Sequence, residues 1–364
     1  MDKLSLFASS FHTRDVAICQ LGVNRSFFYF LYLNNLLIFP LLLSNLHPCS
    51  SVFINLKMAS NILVLGAGEL GLSMLTTLAY KKPINTKLTV FLRPDTIKSP
   101  SPAKAAEHAH LRSLNISFLA GDITTSSISK LAMVFKPYDL IISCLGFASG
   151  PGSQLKIAQA VLEAGVKRFI PWQFGVDYDI IGRGSPQNLF DEQLDIRDLL
   201  RAQDGTEWII VSTGMFTSFL FESFFGVVDL TATPPIVRAL GSWDDKVTVT
   251  TPEDIGRLTA EIVFAEPRIR NEVVFTAGET IDYRALADLV EEVLKKEIVR
   301  EVWSGEMMRD SLRGDPENMV KKYRAVFAAG KGVAWEMEKT FNFQKGIEVE
   351  DVRSWMVKNI TEVK

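Results

Sequence analysis

The stretch Asn61-Ile-Leu-Val-Leu-Gly66-Ala-Gly68-Glu-Leu-Gly71 decides the fold of this chain. Its four consecutive apolar residues predict a parallel strand that is covered on both faces. The glycines that follow have the spacing G-x-G-x-x-G, and residues 72–79 predict a helix, so the pattern is typical of a dinucleotide site. In such a site Gly66 permits a tight turn, Gly68 admits a pyrophosphate, Gly71 lets the helix approach its strand, and the helix N-terminus favours phosphate. The predicted cofactor contacts in this turn are Gly66, Ala67, Gly68, Glu69, Leu70 and Gly71.

The composition excludes several classes of protein. The chain has 364 residues, enough for one large or two medium domains, with 47% hydrophobic and 22% charged residues, as in ordinary globular proteins. Its net charge of −3 gives no support to a nucleic-acid partner. Three cysteines without a C-x-x-C pair favour a reducing compartment, and we expect a cytoplasmic protein. His108 and His110 are two residues apart and face different sides of a helix, so we expect surface histidines and no metal site.

Residues 1–57 do not look like part of this fold. No charged residue occurs from 26 to 56, and residues 27–43 are strongly apolar. About 20 such residues can span a bilayer, so a signal peptide or a membrane anchor is one interpretation, although Asn34, Asn35 and Pro40 weaken it. Met58 stands three residues before the nucleotide strand, where such domains commonly begin. The preferred interpretation is therefore a leader or a disordered extension.

From Met58 onward, strand and helix signals alternate regularly, which predicts an α/β fold with a doubly wound parallel sheet of the Rossmann type. We expect a nucleotide-binding domain over residues 58–214 and a smaller C-terminal substrate lobe over residues 215–364. The further strands of the first domain are predicted at 87–93, 116–122, 138–146, 167–175 and 207–212, with helices at 154–164 and 189–203. The second lobe is predicted to contain a strand at 246–250 and helices at 254–264 and 282–295.

The ends of the second, third and fourth strands carry further candidate cofactor contacts. Arg93 ends the second strand, where a guanidinium suits a 2′-phosphate, so NADP(H) is favoured over NAD(H). The alternative is an arginine that simply ends a surface strand. Asp122 is expected near the adenine, and Cys144, which has no adjacent base, is interpreted as a small buried residue rather than a nucleophile. The remaining candidates at the crevice are Ser143 and Gly146.

A phenylalanine-rich stretch follows the sixth strand. Residues 215–226 contain five phenylalanines in twelve positions. Core packing explains some of them, but their place beside the ligand edge of the sheet favours an apolar substrate pocket. Between the fifth strand and the following helix, residues 176–188 predict a polar loop that starts from Phe174-Gly175.

Four motifs together resemble the NmrA-like family of atypical short-chain dehydrogenases, which includes isoflavone reductase and phenylcoumaran benzylic ether reductase. They are the glycine turn, Phe-Leu-Arg93-Pro, Arg-Phe-Ile-Pro171-Trp-Gln-Phe-Gly175-Val-Asp and Thr-Pro-Glu253-Asp-Ile-Gly256. The chain looks most similar to fungal members, many of which resemble tailoring enzymes of secondary metabolism. The resemblance implies an NADP(H) site that includes Phe174 and Gly175, and the reduction of a small aromatic or polyketide-like metabolite.

The sequence departs from this family at the catalytic lysine. That lysine stands four residues before an arginine, and matching the arginine to Arg197 puts Gln193 at the lysine position. An amide can only hydrogen-bond, whereas lysine can donate a proton. The glycine turn is also one residue shorter than in plant reductases, and no Tyr-x-x-x-Lys replaces the missing lysine.

Three functions remain open at this point. The first is an NADPH-dependent reductase in which Gln193 polarises a small-molecule substrate and Tyr178 or water supplies the proton, with Asp177 as a further candidate. The second is a non-catalytic NADP(H)-sensing regulator of the NmrA type. The third, an epimerase or dehydratase with a tightly held cofactor, lacks its usual Tyr/Lys pair.

Overall fold

The chain forms two compact units, Met1–Leu56 and Lys57–Lys364. The computed structural model describes the backbone of residues 18–23, 26–33 and 36–37, and the whole of residues 61–146, 149–186 and 188–361. In the first unit, strands β1 (Ile18–Val23), β2 (Ser26–Leu33) and β3 (Leu36–Leu37) form an antiparallel sheet in that order.

The hypothesis of a membrane anchor at 27–43 falls partly on β2 and β3, which are strands rather than a spanning helix. Among the described residues, no helix has both the length and the apolar character needed to cross a bilayer. The rest of that segment lies outside the described residues. The interpretation of residues 1–57 as a leader or disordered extension stays a prediction.

The strands of the second unit are β4 (Asn61–Leu65), β5 (Lys87–Leu92), β6 (Ile116–Ala120), β7 (Leu140–Ser143), β8 (Arg168–Ile170), β9 (Glu207–Ser212), β10 (Met215–Phe216), β11 (Val228–Asp229), β12 (Ile236–Leu240), β13 (Lys246–Thr250), β14 (Glu272–Phe275), β15 (Glu279–Asp282) and β16 (Val299–Trp303). Its helices are α1 (Glu69–Lys81), α2 (Pro94–Ile97), α3 (Pro102–Ser113), α4 (Ile128–Phe135), α5 (Ser153–Ala164), α6 (Tyr178–Ile181), α7 (Asp191–Arg201), α8 (Pro252–Val263), α9 (Tyr283–Leu294), α10 (Gly305–Arg313), α11 (Met319–Ala328), α12 (Phe341–Lys345) and α13 (Val352–Met356).

Seven strands form one parallel sheet in the order β14-β9-β8-β7-β4-β5-β6. The apolar run Ile62–Leu65 is completely buried in its centre, as expected for a strand with helices on both faces. The strand order reverses between β4 and β7, and in open sheets of this kind ligands bind at such a switch point. The predicted doubly wound fold is confirmed.

The part of the chain after residue 214 first forms strands β10 to β13 of the second lobe and then returns to this sheet. Helix α8 packs on α1, where Gly256 lies so close that an added Cβ would stand 2.8 Å from the carbonyl carbon of Ser73. Strand β14 then pairs with β9 at the edge of the sheet. Residues 252–263 and 272–275 therefore pack on elements of the predicted nucleotide domain, residues 58–214, although the prediction gave them to the second lobe.

The second lobe contains two small sheets, β10-β13-β15 and β11-β12-β16, with helices α9 to α13. Its apolar core includes Leu220 and Phe225, both completely buried.

In the first lobe, the expectation that His108 lies at the surface is wrong. His108 is not a surface residue: it is buried, and its ring packs edge-on against Phe118 at 5.3 Å. Burial lowers the pKa of His108.

Candidate functional site

The glycine turn between β4 and α1 has the geometry that a dinucleotide requires. Gly66 has φ +93°, which favours glycine, and a Cβ at Gly71 would lie 2.9 Å from the carbonyl carbon of Gly66. At Gly68, by contrast, a Cβ would meet no described atom within 4 Å. No side chain among the described residues caps α1, so its first N–H groups face this open space. The turn can therefore cradle a pyrophosphate.

An open cleft with about 1030 Å³ of empty space extends from this turn across the switch point. The predicted contacts that line it are Gly66, Ala67, Gly68, Arg93, Asp122, Cys144 and Gly146. Lys104 of α3 lines it as well and was not predicted, although a second cation shortly after Arg93 was visible in the sequence. Two cations in one cleft suit a phosphate group.

The loop after β6 is held in place at one side of the cleft. The carboxylate of Asp122 accepts hydrogen bonds from the backbone N–H and the hydroxyl of Thr124, at 2.8 and 2.7 Å, and these bonds lower its pKa. Lys156 Nζ donates to the carbonyl oxygens of Ile123 and Thr124, both at 3.1 Å. These bonds therefore hold this side of the cleft in one conformation.

The other predicted cofactor residues lie around the cleft rather than in its lining. Ser143 is completely buried at the end of β7, and Leu70 is buried in the first turn of α1. Glu69 is exposed at that turn, and partial desolvation together with the carboxylates of Glu253 and Glu222 raises its pKa. Cys144 is half-buried, and burial raises the pKa of its thiol, so it is not an activated nucleophile.

A second cavity, with about 680 Å³ of empty space, lies between the two lobes and is lined mostly by aromatic side chains. We call it the aromatic pocket. Its lining residues are Trp172, Phe174, Gly175, Val176, Tyr178, Phe190, Gly214, Met215, Phe216, Phe219, Tyr323 and Phe327. Phe174 and Gly175, which were predicted to contact the cofactor, thus belong to this pocket.

The phenylalanine-rich stretch divides between pocket and core. Phe216 and Phe219 line the aromatic pocket, whereas Phe225 is completely buried in the core of the second lobe. Phe221 stacks on Trp355 with ring centroids 4.8 Å apart, and Phe224 is 51% exposed. The stretch therefore contributes both to an apolar pocket and to the core, and the binding of a substrate in that pocket stays a prediction.

Tyr178 is the first residue of α6 and is buried with its ring in the aromatic pocket. The ring centroid lies 4.8 Å from that of Phe190, and the Arg197 guanidinium stands 5.1 Å from it on another side. The hydroxyl lies 2.5 Å from the position that a Cβ on Gly175 would occupy, so a side chain at that position would displace the phenol. Burial raises the pKa of Tyr178, which keeps it a neutral phenol that can donate a hydrogen.

The loop that carries Tyr178 is tied to α7 by ionic and hydrogen bonds. Arg197 is completely buried and donates to Asp179 Oδ2 at 2.6 Å and to Gln173 Oε1 at 2.8 Å. Asp177 caps α6 by accepting from the backbone N–H groups of Asp179 and Ile180, at 3.1 and 3.4 Å. The geometry thus gives Asp177 a structural position, outside the linings of both the cleft and the aromatic pocket.

Gln193 is completely buried on α7, one turn before Arg197. Its backbone carbonyl accepts a hydrogen bond from Gln173 Nε2 at 2.9 Å. Neither its side-chain nitrogen nor its side-chain oxygen has a hydrogen-bond partner in the part of the chain that the structure describes. The side chain is absent from the linings of the two cavities. Such a buried amide costs about 1–3 kcal/mol unless a ligand or water satisfies it.

A doubly wound parallel sheet with a glycine turn at its switch point defines a dinucleotide-binding protein, and here an apolar cavity adjoins the cleft. The chain matches the NmrA-like family over residues 58–352, and it belongs to that family.

Two relatives and a solved structure give the range of similarity. An NmrA-like family domain-containing oxidoreductase of Gibberella moniliformis is 51% identical over 310 residues, covering 84% of this chain and 100% of that protein. Phenylcoumaran benzylic ether reductase 1 of Arabidopsis thaliana is 28% identical, covering 74% of this chain and 88% of its own. A leucoanthocyanidin reductase–NADPH complex from Vitis vinifera superimposes with a TM-score of 0.63 at 20% identity, covering 76% and 89% of the two chains.

Proposed function

We propose that this protein is an NADPH-dependent reductase of a small aromatic or polyketide-like metabolite, serving a tailoring step of fungal secondary metabolism. The observation that carries the proposal is the contact between the two cavities. Trp172 lines the aromatic pocket, and its ring lies 3.0 Å from the position of a Cβ on Gly146, which lines the cleft. This proximity supports the proposal, because a compound in the pocket would lie next to a dinucleotide held in the cleft. The named relatives are oxidoreductases, which supports the same class of activity.

The residues of the cleft fit NADP(H). The open space at Gly68 and the N-terminus of α1 would hold the pyrophosphate, and Arg93 with Lys104 would hold the 2′-phosphate. The NADPH bound in the Vitis vinifera structure of similar fold supports this choice. When bound, the cofactor supplies a hydride, and the chain has to orient the substrate and deliver a proton.

Tyr178 is the best-placed proton donor. It is a buried, neutral phenol in the lining of the aromatic pocket, and its loop is fixed by Arg197. As the substrate oxygen gains negative charge, the Tyr178 hydroxyl donates its hydrogen bond and then its proton to that oxygen. Gln193 is the candidate second polar group, because its buried amide has no hydrogen-bond partner among the described residues. Asp177 acts by capping α6 and so positions Tyr178.

The proposed reduction is tested by following the transferred hydride with a deuterium label. NADPH deuterated at the nicotinamide carbon that loses the hydride is incubated with the protein and a panel of aromatic ketones and enones. Deuterium in a carbon-bound position of a product, found by mass spectrometry, is the expected result. Tight NADPH binding without labelled product from any compound would contradict the proposal.

Tight NADPH binding without labelled product would favour an NADP(H)-sensing regulator. One observation supports this alternative, namely that Gln193 replaces the lysine on which catalysis in the resembling reductases is expected to depend. A regulator would bind NADPH through the same cleft and would not need a proton donor.

A further inference from the structure

Helix α5 is capped by a carboxylate from another helix. Its N-cap residue, Gly152, has no side chain that could bind the first N–H groups of the helix. Glu192, in the first turn of α7, supplies the acceptors instead. Its Oε2 accepts from the backbone N–H of Gly152 at 3.0 Å, and its Oε1 accepts from those of Gln154 and Leu155 at 2.8 and 2.9 Å. These bonds are charge-assisted, and the carboxylate lies at the positive end of the helix dipole, so the cap is a strong one.

The start of α5 is bonded in turn to the wall of the cleft. We call the described part of the loop between β7 and α5, residues 144–152 without 147 and 148, the β7 loop. The Ser153 hydroxyl donates to the carbonyl oxygen of Ser149 at 2.6 Å, and Gln154 Nε2 donates to that of Leu145, also at 2.6 Å. The cap on α5 therefore also fixes the β7 loop. The residues of this loop that line the cleft are Cys144, Leu145, Gly146 and Ser149.

The β7 loop and the loops after β5 and β6 lie on opposite sides of the switch point. Arg93 and Asp122 follow β5 and β6, on the side where sheets of this kind bind the adenine ribose. The β7 loop lies on the other side, where Gly146 adjoins Trp172 of the aromatic pocket. A dinucleotide that spans the cleft would therefore place its nicotinamide half against the β7 loop.

We propose that Glu192 is a positioning residue for the nicotinamide half of the cofactor, because its cap on α5 holds the β7 loop in the conformation that binds this half. The inference rests on the proposed function only for the identity of the cofactor and does not require turnover. In Glu192→Gln the amide nitrogen cannot accept a hydrogen bond, and the negative charge at the start of α5 is lost. The β7 loop then populates other conformations, and the apparent affinity falls with the fraction that remains competent to bind.

Two ligands separate the halves of the cofactor. NADPH contacts both sides of the cleft, whereas 2′,5′-ADP has the adenine ribose and its 2′-phosphate but lacks the nicotinamide half. Calorimetric titration of the full-length protein gives the affinity for each. Asp195→Asn is the matched control, because Asp195 lies on the same helix and accepts a hydrogen bond from Arg183 Nη1 at 2.6 Å, outside the lining of the cleft.

We expect Glu192→Gln to weaken NADPH binding about 5- to 50-fold and to change the affinity for 2′,5′-ADP by less than about twofold. Asp195→Asn should change neither affinity. A cap that only stabilises the fold would lower the melting temperature without separating the two ligands. Equal losses for both ligands, or an unchanged affinity for NADPH, would therefore overturn the inference.

The same titrations distinguish this inference from the proposed function. A wild type that does not bind NADPH would overturn the inference together with the proposed cofactor. If Glu192→Gln separates the two ligands as expected and no labelled product forms from NADPH, the proposed reductase fails while the role of Glu192 stands.

Hydrogen exchange in the wild type covers the case in which Glu192→Gln does not fold. Coupling between the cap and the cofactor is reciprocal, so NADPH should slow the exchange of the amide hydrogens that bond to Glu192, those of Gly152, Gln154 and Leu155. Binding of 2′,5′-ADP should leave their exchange unchanged. Equal slowing by both ligands, or slowing by neither, would overturn the inference.

Discussion

Arg93 lies where the cleft meets the end of β5, and we expect it to decide the choice of cofactor. A charge-assisted, bidentate contact with a 2′-phosphate is worth about 1.5–3 kcal/mol, so Arg93→Ala should weaken NADPH binding roughly 10- to 100-fold and leave NADH binding nearly unchanged. Calorimetric titration of both cofactors measures this. Arg112→Ala is the control, because Arg112 packs on Phe118 outside the cleft. Equal affinities of the wild type for NADPH and NADH would contradict the role of Arg93.

Substitution of Gln193 tests whether the residue at the position of the family's lysine contributes to turnover. Gln193→Leu keeps the volume but removes the amide. If that amide donates to developing negative charge, turnover should fall about 10²–10³-fold with NADPH affinity unchanged. The melting temperature should not fall, because no partner is lost among the described residues.

Gln203→Leu is the matched control for this variant. The Gln203 amide bonds the backbone of Leu200 and Thr206, so its loss should lower the melting temperature without changing turnover. Wild-type turnover in Gln193→Leu would remove Gln193 from the mechanism and leave Tyr178 as the polar group of interest.

At the scale of elements, the contact between α1 and α8 supports the glycine turn. In Gly256→Ala the new Cβ would stand 2.8 Å from the carbonyl carbon of Ser73 and 2.9 Å from the backbone nitrogen of Met74. The two helices must move apart, so we expect a loss of about 1–3 kcal/mol in the free energy of unfolding and weaker NADPH binding. Chemical denaturation and cofactor titration measure the two effects.

Gly205→Ala is the control for Gly256→Ala, since its new Cβ would have Gln203 Oε1 at 3.7 Å as its nearest neighbour. Its unfolding free energy should stay within about 0.5 kcal/mol of the wild type. If Gly256→Ala behaved like Gly205→Ala, close packing would not explain the Thr-Pro-Glu-Asp-Ile-Gly motif.

Some helices and strands could be predicted from the sequence pattern alone, and others could not. Strand β9 spans Glu207–Ser212, as predicted, because the apolar run between turn signals has the length of a strand and is rich in β-branched and aromatic residues. Strand β7 is shorter than predicted, Leu140–Ser143, because its last residues leave the sheet to line the cleft. His108 is buried against Phe118 because contacts between a helix and a neighbouring strand override the polar character of one residue.

For a related reason, the sequence predicted only part of the candidate site. The cofactor cleft consists of short segments at strand ends, each with its own local signal, and Gly66 and Arg93 were found in this way. The aromatic pocket joins residues 172–190, residues 214–219 and helix α11, and α11 is distant in sequence from the other two. No local pattern connects Tyr323 with Tyr178, and so Tyr323 was missed. Lys104 was missed for the same reason, because its helix reaches the cleft only in the folded structure.

For the whole molecule, the seven-stranded sheet and the second lobe together form one compact unit from Lys57 onward. The family match begins at residue 58. A protein that starts at Met58 should therefore fold and bind NADPH with the affinity of the full chain, as measured by calorimetric titration. Lost folding or lost NADPH binding on this truncation would show that residues 1–57 stabilise the domain. Recovery of the full chain in membrane fractions would instead favour an anchor.

We propose that the protein reduces an aromatic carbonyl compound where the cleft meets the aromatic pocket, with Tyr178 as proton donor. The most direct measurement is NADPH consumption by the wild type and by Tyr178→Phe across a panel of aromatic ketones and enones. We predict turnover by the wild type with at least one compound, and a loss of about 10²–10⁴-fold in Tyr178→Phe at unchanged NADPH affinity. Full NADPH binding by the wild type without turnover of any compound, or wild-type rates in Tyr178→Phe, would contradict this account.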